Sequence, residues 1–155
     1  MIFRRIELLR AAWGAALLVA PGLVLGRVHG VRVDRKALVV ARILGARQLL
    51  QAGLSGINPS PEMLAGGVWV DAVHSLTALG LAVVDRSRAR AGVTDCVVAA
   101  VWALLGWHHL SAGRAAQVAI RGRDRLARAV VGALPGGGIL MRQADSTRAE
   151  RERSV

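Results

Sequence analysis

Residues 37–55, 64–84 and 93–110 form three apolar blocks of about 18–21 residues, each long enough for one helix to cross a bilayer. No other feature constrains the fold so strongly. Hydrocarbon offers backbone groups no water, so a crossing segment has to satisfy its own N–H and C=O groups. The predicted fold class is therefore all-α, an integral membrane protein built on a transmembrane bundle. A mean hydropathy of +0.43, with 54% hydrophobic residues in a chain of 155, is too apolar for an ordinary soluble domain of this size.

A fourth span is expected over 11–26, AAWGAALLVAPGLVLG, behind the short basic segment 1–10. At ~1.5 Å per residue it reaches about 24 Å, only just enough to cross. Pro21-Gly22 interrupts it, and neighbouring helices would have to satisfy the backbone groups that the break frees. Gly22 and Gly26 form a GxxxG, a pattern that allows close helix approach. A cleaved signal peptide is the alternative, but no A-x-A follows and Glu7 sits in the basic region, so a retained helix is preferred. The expected organisation is a four-helix transmembrane bundle over 1–111, a basic amphipathic helix over 112–134, and a Gly-rich linker with a disordered charged tail over 135–155. The bundle is expected to pack through Ala41, Gly45, Ala78, Ala82, Ala99 and Ala103.

The formal charge is +11, and of 21 basic residues only Lys36 is lysine, a usage that suggests a GC-rich bacterial genome. Nucleic-acid recognition needs base-stacking groups on a basic face, and this chain has no Tyr and one Phe. Anionic lipid headgroups are the better partner for the positive charge. Arg121, Arg123, Arg125 and Arg128 flank the apolar positions Ala119, Leu126, Ala127, Val130, Val131 and Leu134, as in a helix lying in the headgroup plane. A solvated helix packed on a partner subunit is the competing reading. Ile139-Leu140-Met141 is too short to form an element alone, and 142–155 has no apolar content to order it.

Charged and amide side chains inside the spans are the candidate site. Arg42, Arg47, Gln48 and Gln51 lie in the first apolar block, and Asp71 and His74 in the second. Asn58-Pro59-Ser60-Pro61 turns the chain between them, so Arg47 and Asp71 fall at equal distances from the turn, roughly 10 Å inside the membrane. His74 shares a helix face with Asp71. A functional reading makes this cluster a proton path or anion pocket. A structural reading makes it an ion pair that fixes how two spans dock. Arg42 and Asp95 form a possible second pair, although Asp95 also suits the first turn of its helix and Arg42 can snorkel to the headgroups. Adjacent His108 and His109 point about 100° apart on a helix and do not suit one metal ion. The single cysteine, Cys96, forms no intrachain disulfide. No soluble-enzyme motif is present, and neither catalytic residues nor cofactors are expected.

Eight basic residues near the spans on the terminal side face seven on the other, hardly a bias. Both termini are placed in the cytoplasm, with Trp13, Trp69 and Trp107 near that side. Through Arg42-Ile43-Leu44-Gly45-Ala46-Arg47-Gln48, Gly53 and Asp71-Ala72-Val73-His74, the chain resembles small four-span membrane proteins of actinobacteria. That resemblance covers about residues 37–110 and implies the four-span architecture. The expected function is a non-enzymatic accessory or scaffold component of a bacterial membrane assembly, in contact with anionic lipid and other membrane-protein subunits. The alternative is a small transporter or proton-coupled carrier using Arg47, Asp71 and His74.

Overall fold

The computed structural model describes residues 2–56, 59–113, 115 and 119–153, with side chains over 6–150 of that set and at Arg153. Asn58 of the expected turn, Arg114, and residues 116–118 of the expected amphipathic helix lie outside it, as do residues 154–155 of the tail. Among the described residues the fold is all-helical. Its elements are α1 (Ile2–Val19), α2 (Pro21–Leu23), a π-helical turn (Val24–His29), α3 (Arg35–Ser55), α4 (Pro61–Val84), α5 (Ala89–Ser111), α6 (Gly122–Gly132) and α7 (Gly137–Glu152). A short 3₁₀ turn, Arg86–Arg88, precedes α5.

Three helical stretches, Arg35–Ser55, Pro61–Val84 and Arg86–Ser111, are long and apolar enough to cross a membrane. A fourth exists only if the bent pair Ile6–Val19 and Pro21–His29 is taken together. The chain bends by 99° between those two helices, so the interruption expected at Pro21-Gly22 within 11–26 ends α1 at Val19 and turns the apolar segment sharply beyond it. Proline explains the site of the bend. It has no N–H to continue the α1 ladder and is well placed in the first turn of a new helix, where Pro21 stands. The π turn ends at Gly30, whose φ of 61° is the left-handed conformation that glycine adopts without strain.

The chain divides into two compact units, Met1–Ile57 with Leu76–Val97, and Asn58–Ser75 with Val98–Val155. In the first, α1 runs antiparallel to α3. A Cβ added to Gly45 would lie 2.7 Å from the Gly14 carbonyl oxygen, and one added to Gly14 would lie 2.9 Å from that of Gly45. Only glycine permits so close a crossing. Ala41, Leu17, Val24 and Leu25 are buried beside it. The expected Ala41/Gly45 seam is therefore a contact with α1. Gly26 has no neighbour within 4 Å of an added Cβ, so the Gly22/Gly26 pattern is not a close-packing motif among the described residues. Elsewhere in this unit Gly92 backs onto Ala78 and Ala82, 2.7 Å from the Ala78 carbonyl oxygen by the same measure.

In the second unit, α6 and α7 form an antiparallel hairpin on the first turns of α4. Helix α7 is a correction: the segment 142–155 was expected to be a disordered tail, yet the chain is helical from Gly137 to Glu152. Met141, Ala144 and Thr147 are buried, spaced so that they share one face. That short stripe, too weak to order a helix in water, suffices when a tertiary surface receives it. The glycines expected to form a linker instead form a tight turn. Gly136 has a φ of 76°, and a side chain at Gly137 would collide with the Val131 carbonyl.

Candidate functional site

The densest polar arrangement among the described residues lies in the second unit, where α4 begins. Ser60-Pro61-Glu62 is a helix start legible in the sequence: a hydroxyl cap, proline in the first turn and an acid near the positive end of the dipole. Ser60 Oγ accepts from Met63 N at 3.3 Å and donates to Asp124 Oδ1 at 2.6 Å. Asp124 Oδ2 in turn accepts from Arg121 N at 2.7 Å, closing the first turn of α6. One hydroxyl and one carboxylate thus cap two helices and tie them together. Burial pushes the Asp124 carboxyl up, but the Ser60 hydroxyl, the Arg121 N–H and the charges of Arg123 and Arg148 outweigh it and hold the acid below its ordinary range.

Two residues into α4, Glu62 is fully buried and held by both helices of the hairpin. Arg148 of α7 reaches Oε2 with Nη2 at 2.8 Å, and its Nη2 and Nε lie 3.1 and 3.3 Å from Oε1. Arg128 of α6 donates to Oε1 at 3.0 Å and also to Asp145 Oδ1. The planar guanidinium fork suits such two-point grips on a carboxylate. Arg128 is held charged, above its ordinary value, first by Asp145 and then by Glu62. Near the end of α5, Thr147 Oγ1 donates to the Leu110 carbonyl at 3.0 Å, one of the terminal carbonyls a helix leaves without an intrahelical partner. Trp69 Nε1 donates to the Pro135 carbonyl at 3.0 Å.

The four arginines expected to face lipid or a partner divide. Arg121 and Arg125 are exposed. Arg128 is spent on Glu62 and Asp145, and Arg123 lies partly buried with its Nε 3.8 Å from Asp124. Sequence reasoning missed Ser60, Glu62, Asp124, Asp145 and Arg148 as a group. The cap at Ser60-Pro61-Glu62 and the excess of arginine downstream were the available signals.

The polar cluster expected inside the spans is divided between the two units. Gln48 is buried in the first, where its Oε1 accepts from Arg10 Nη1 at 3.2 Å. Arg10, also buried, lies 3.6 Å from Glu7 Oε2 one turn earlier, so α1 supplies two polar groups that sequence reasoning left out. Arg47 and Gln51 are partly buried on α3. Glu7, Leu8, Ala11, Leu49, Ala52, Gly53 and Gly56 line an open cleft of about 580 Å³ between α1 and the end of α3. Of the possible second pair, Arg42 is exposed on α3 and Asp95 partly buried on α5. In the second unit Asp71 is fully buried and His74 partly so. His109 Nδ1 lies 2.7 Å from the Leu105 carbonyl and donates to it, while the exposed His108 ring meets it edge-on at 5.8 Å.

Comparisons with protein-family models, with curated proteins and with solved structures each found no match to this chain.

Proposed function

We propose that this chain is a non-enzymatic accessory or scaffold component of a membrane assembly in the inner membrane of a bacterium, an actinobacterium by its resemblance, with both termini cytoplasmic. The observation that supports this reading is where the charge is used. Glu62 and Asp145 take Arg128 and Arg148, and Asp124 takes the Ser60 hydroxyl, to hold a C-terminal helical hairpin on the start of α4. Such bonds organise a surface; they do not surround a substrate-sized space. Arg121 and Arg125 stay outward for anionic headgroups or for an acidic face of a neighbouring subunit. Purification of the tagged chain from native membranes in mild detergent, with mass spectrometry of what comes with it, tests the proposal. A stoichiometric membrane-protein partner is expected, lost with Arg121→Glu and Arg125→Glu together. Recovery of the chain alone, from cross-linked as well as untreated membranes, overturns it.

The second reading, a small proton-coupled carrier, has its own support in Asp71. A carboxylate without exposure on an apolar helix is a functional candidate by default in a membrane. On this reading Arg47, Asp71 and His74 carry the proton or ion, with Gln48 and Gln51 beside Arg47. Flux in sealed proteoliposomes tests it: transport driven by a pH gradient, abolished by Asp71→Asn and altered in pH dependence by His74→Ala. Absence of any gradient-driven flux from correctly folded protein removes the reading.

A further inference from the structure

Contacts along the hairpin set a depth scale against α4. Asp124 is bonded to Ser60 at the cap, and Arg128 to Glu62. One turn further, a Cβ at Gly66 would touch Val131 at 3.6 Å, and the Pro135 carbonyl receives Trp69 Nε1. Helix α6 therefore runs beside α4 in the same direction. Its tip reaches the level of Trp69, eight residues past Pro61 or about 12 Å along the helix. Helix α7 returns from Gly137, packed on Val131, through Met141 beside Gly132, to Arg148 on Glu62.

Charge is partitioned along that scale. Residues 129–141, AVVGALPGGGILM, carry no charged side chain and are bracketed by Arg128 and Arg142. The charges of α6, with Asp145, Arg148 and Glu150 of α7, stand towards its open end, while the exposed Arg142 folds its guanidinium back to 3.7 Å from a Cβ placed at Gly138. Val130 and Ile139 are 51% and 59% exposed, and so is the apolar surface that continues around the tip at Ala133 and Pro135. Backbone polarity at the tip is largely consumed inside the protein. Ala133 N and Leu134 N bond to Val130 and Val131, Gly137 N bonds to Leu134, and Ile139 N bonds to Gly136. Pro135 has no N–H, and its carbonyl is taken by Trp69. A loop exposed to water has no need of this economy, whereas one in hydrocarbon does.

We propose that residues 129–141 are a re-entrant apolar wedge, occupied on its outer face by lipid acyl chains, entering the membrane from the side on which α4 begins. The wedge lies along the first turns of α4, a helix long and apolar enough to span a membrane. On this placement Glu62, Arg128 and Arg148 lie where headgroups meet hydrocarbon, and Arg125 is exposed at the same end for phosphates. This inference stands apart from the accessory reading: a scaffold or a carrier could equally hold such a wedge.

The full chain with Cys96→Ala and one new cysteine, Ile139→Cys at the tip or Ser146→Cys at the base, tests it. Each variant is labelled with an environment-sensitive fluorophore and reconstituted in phosphatidylcholine vesicles with brominated acyl chains. The expected result is several-fold stronger quenching at position 139 than at 146, matching that at Leu76→Cys on α4. Equal weak quenching at 139 and 146 overturns the wedge. So does a water-free signal at 139 that escapes bromolipid and vanishes on dilution with lipid, since a second copy would then cover the tip. The unaltered chain provides a test free of folding artefacts. A lipid-soluble photoreactive carbene precursor should label the tryptic peptide 129–142, released by cleavage after Arg128 and Arg142. Labelling of the peptides from α4 and α5 without this one overturns the proposal.

Discussion

Arg148 grips Glu62 through two nitrogens, Nη2 at 2.8 Å from Oε2 and Nε at 3.3 Å from Oε1, although 86 residues separate them. Glu62 is buried, and the side chain of Arg148 is 17% exposed. Removing one partner of a buried pair strands the other, typically at ~3–5 kcal/mol. Glu62→Ala should approach that range, because it strands Arg148 and halves the support of Arg128. Arg148→Ala should cost less, because Arg128 still holds the carboxylate. Thermal unfolding in detergent checks the order. Limited trypsin digestion should show faster cleavage at Arg128 and Arg142 in both variants than in the parent.

The crossing of α1 on α3 depends on two glycines facing each other. Gly45→Ala places a methyl inside the contact distance of the Gly14 carbonyl and the Leu18 N–H, neither of which can move without its helix. Overpacking of this kind costs about 1–3 kcal/mol. Gly26→Ala has open space around it and should be neutral or slightly stabilising, since alanine restricts the unfolded chain more than glycine does. Equal melting temperatures for the two variants would contradict the close crossing.

Acid should loosen the caps at Ser60 and Arg121. The folded pKa of Asp124 is depressed, so its contribution is complete above the unfolded aspartate value, about 3.9. It declines as pH falls below that and is gone once the folded pKa has been passed. Melting temperature followed from pH 6 downwards should therefore fall more steeply in the parent than in Asp124→Asn. The variant begins lower at neutral pH, and the two curves converge at the acid end. Parallel curves would mean that Asp124 does not carry this linkage.

Helix α1 lies along α3 from the level of Gly56, at the Glu7 cleft, through Arg10 on Gln48, to Gly14 on Gly45. If α3 crosses the membrane, a helix matched to it over this length crosses as well, and the segment beyond the 99° bend lies across its end. A tag ahead of Ile2 and a reporter at Gly30 should accordingly face opposite sides. Reporters at 30, 59, 89 and 140 should alternate, because α3, α4 and α5 intervene in turn. The same side for the N-terminal tag and position 30 would make the first segment re-entrant.

Much of the architecture was legible because it rests on quantities additive along the chain. Span length and hydropathy place α3, α4 and α5 within a few residues of their observed bounds, since a helix in hydrocarbon is selected by its own composition. Pro21 marks the break in the first segment and Ser60-Pro61-Glu62 the start of α4, because caps and proline act within one turn. The size of the bend was not legible: a proline fixes where the ladder stops, and packing of Leu17, Val24 and Leu25 around Ala41 fixes where the chain goes next.

The site depended on choices that no local rule makes. Arginines crowd the C-terminal third, and in sequence Arg148 differs little from Arg142 or Arg153. Only the fold brings Arg148 to a buried carboxylate and leaves Arg142 and Arg153 exposed. Helix α7 was hidden for the same reason. Its apolar face is Met141, Ala144 and the methyl of Thr147, too small to order a free chain against its conformational entropy. Composition along the chain marked the segments long and apolar enough to cross a membrane, and local chemistry marked where α4 begins. Tertiary structure decided which charges meet, because pairing a buried carboxylate is a contact between distant residues and leaves no mark on either one's neighbours.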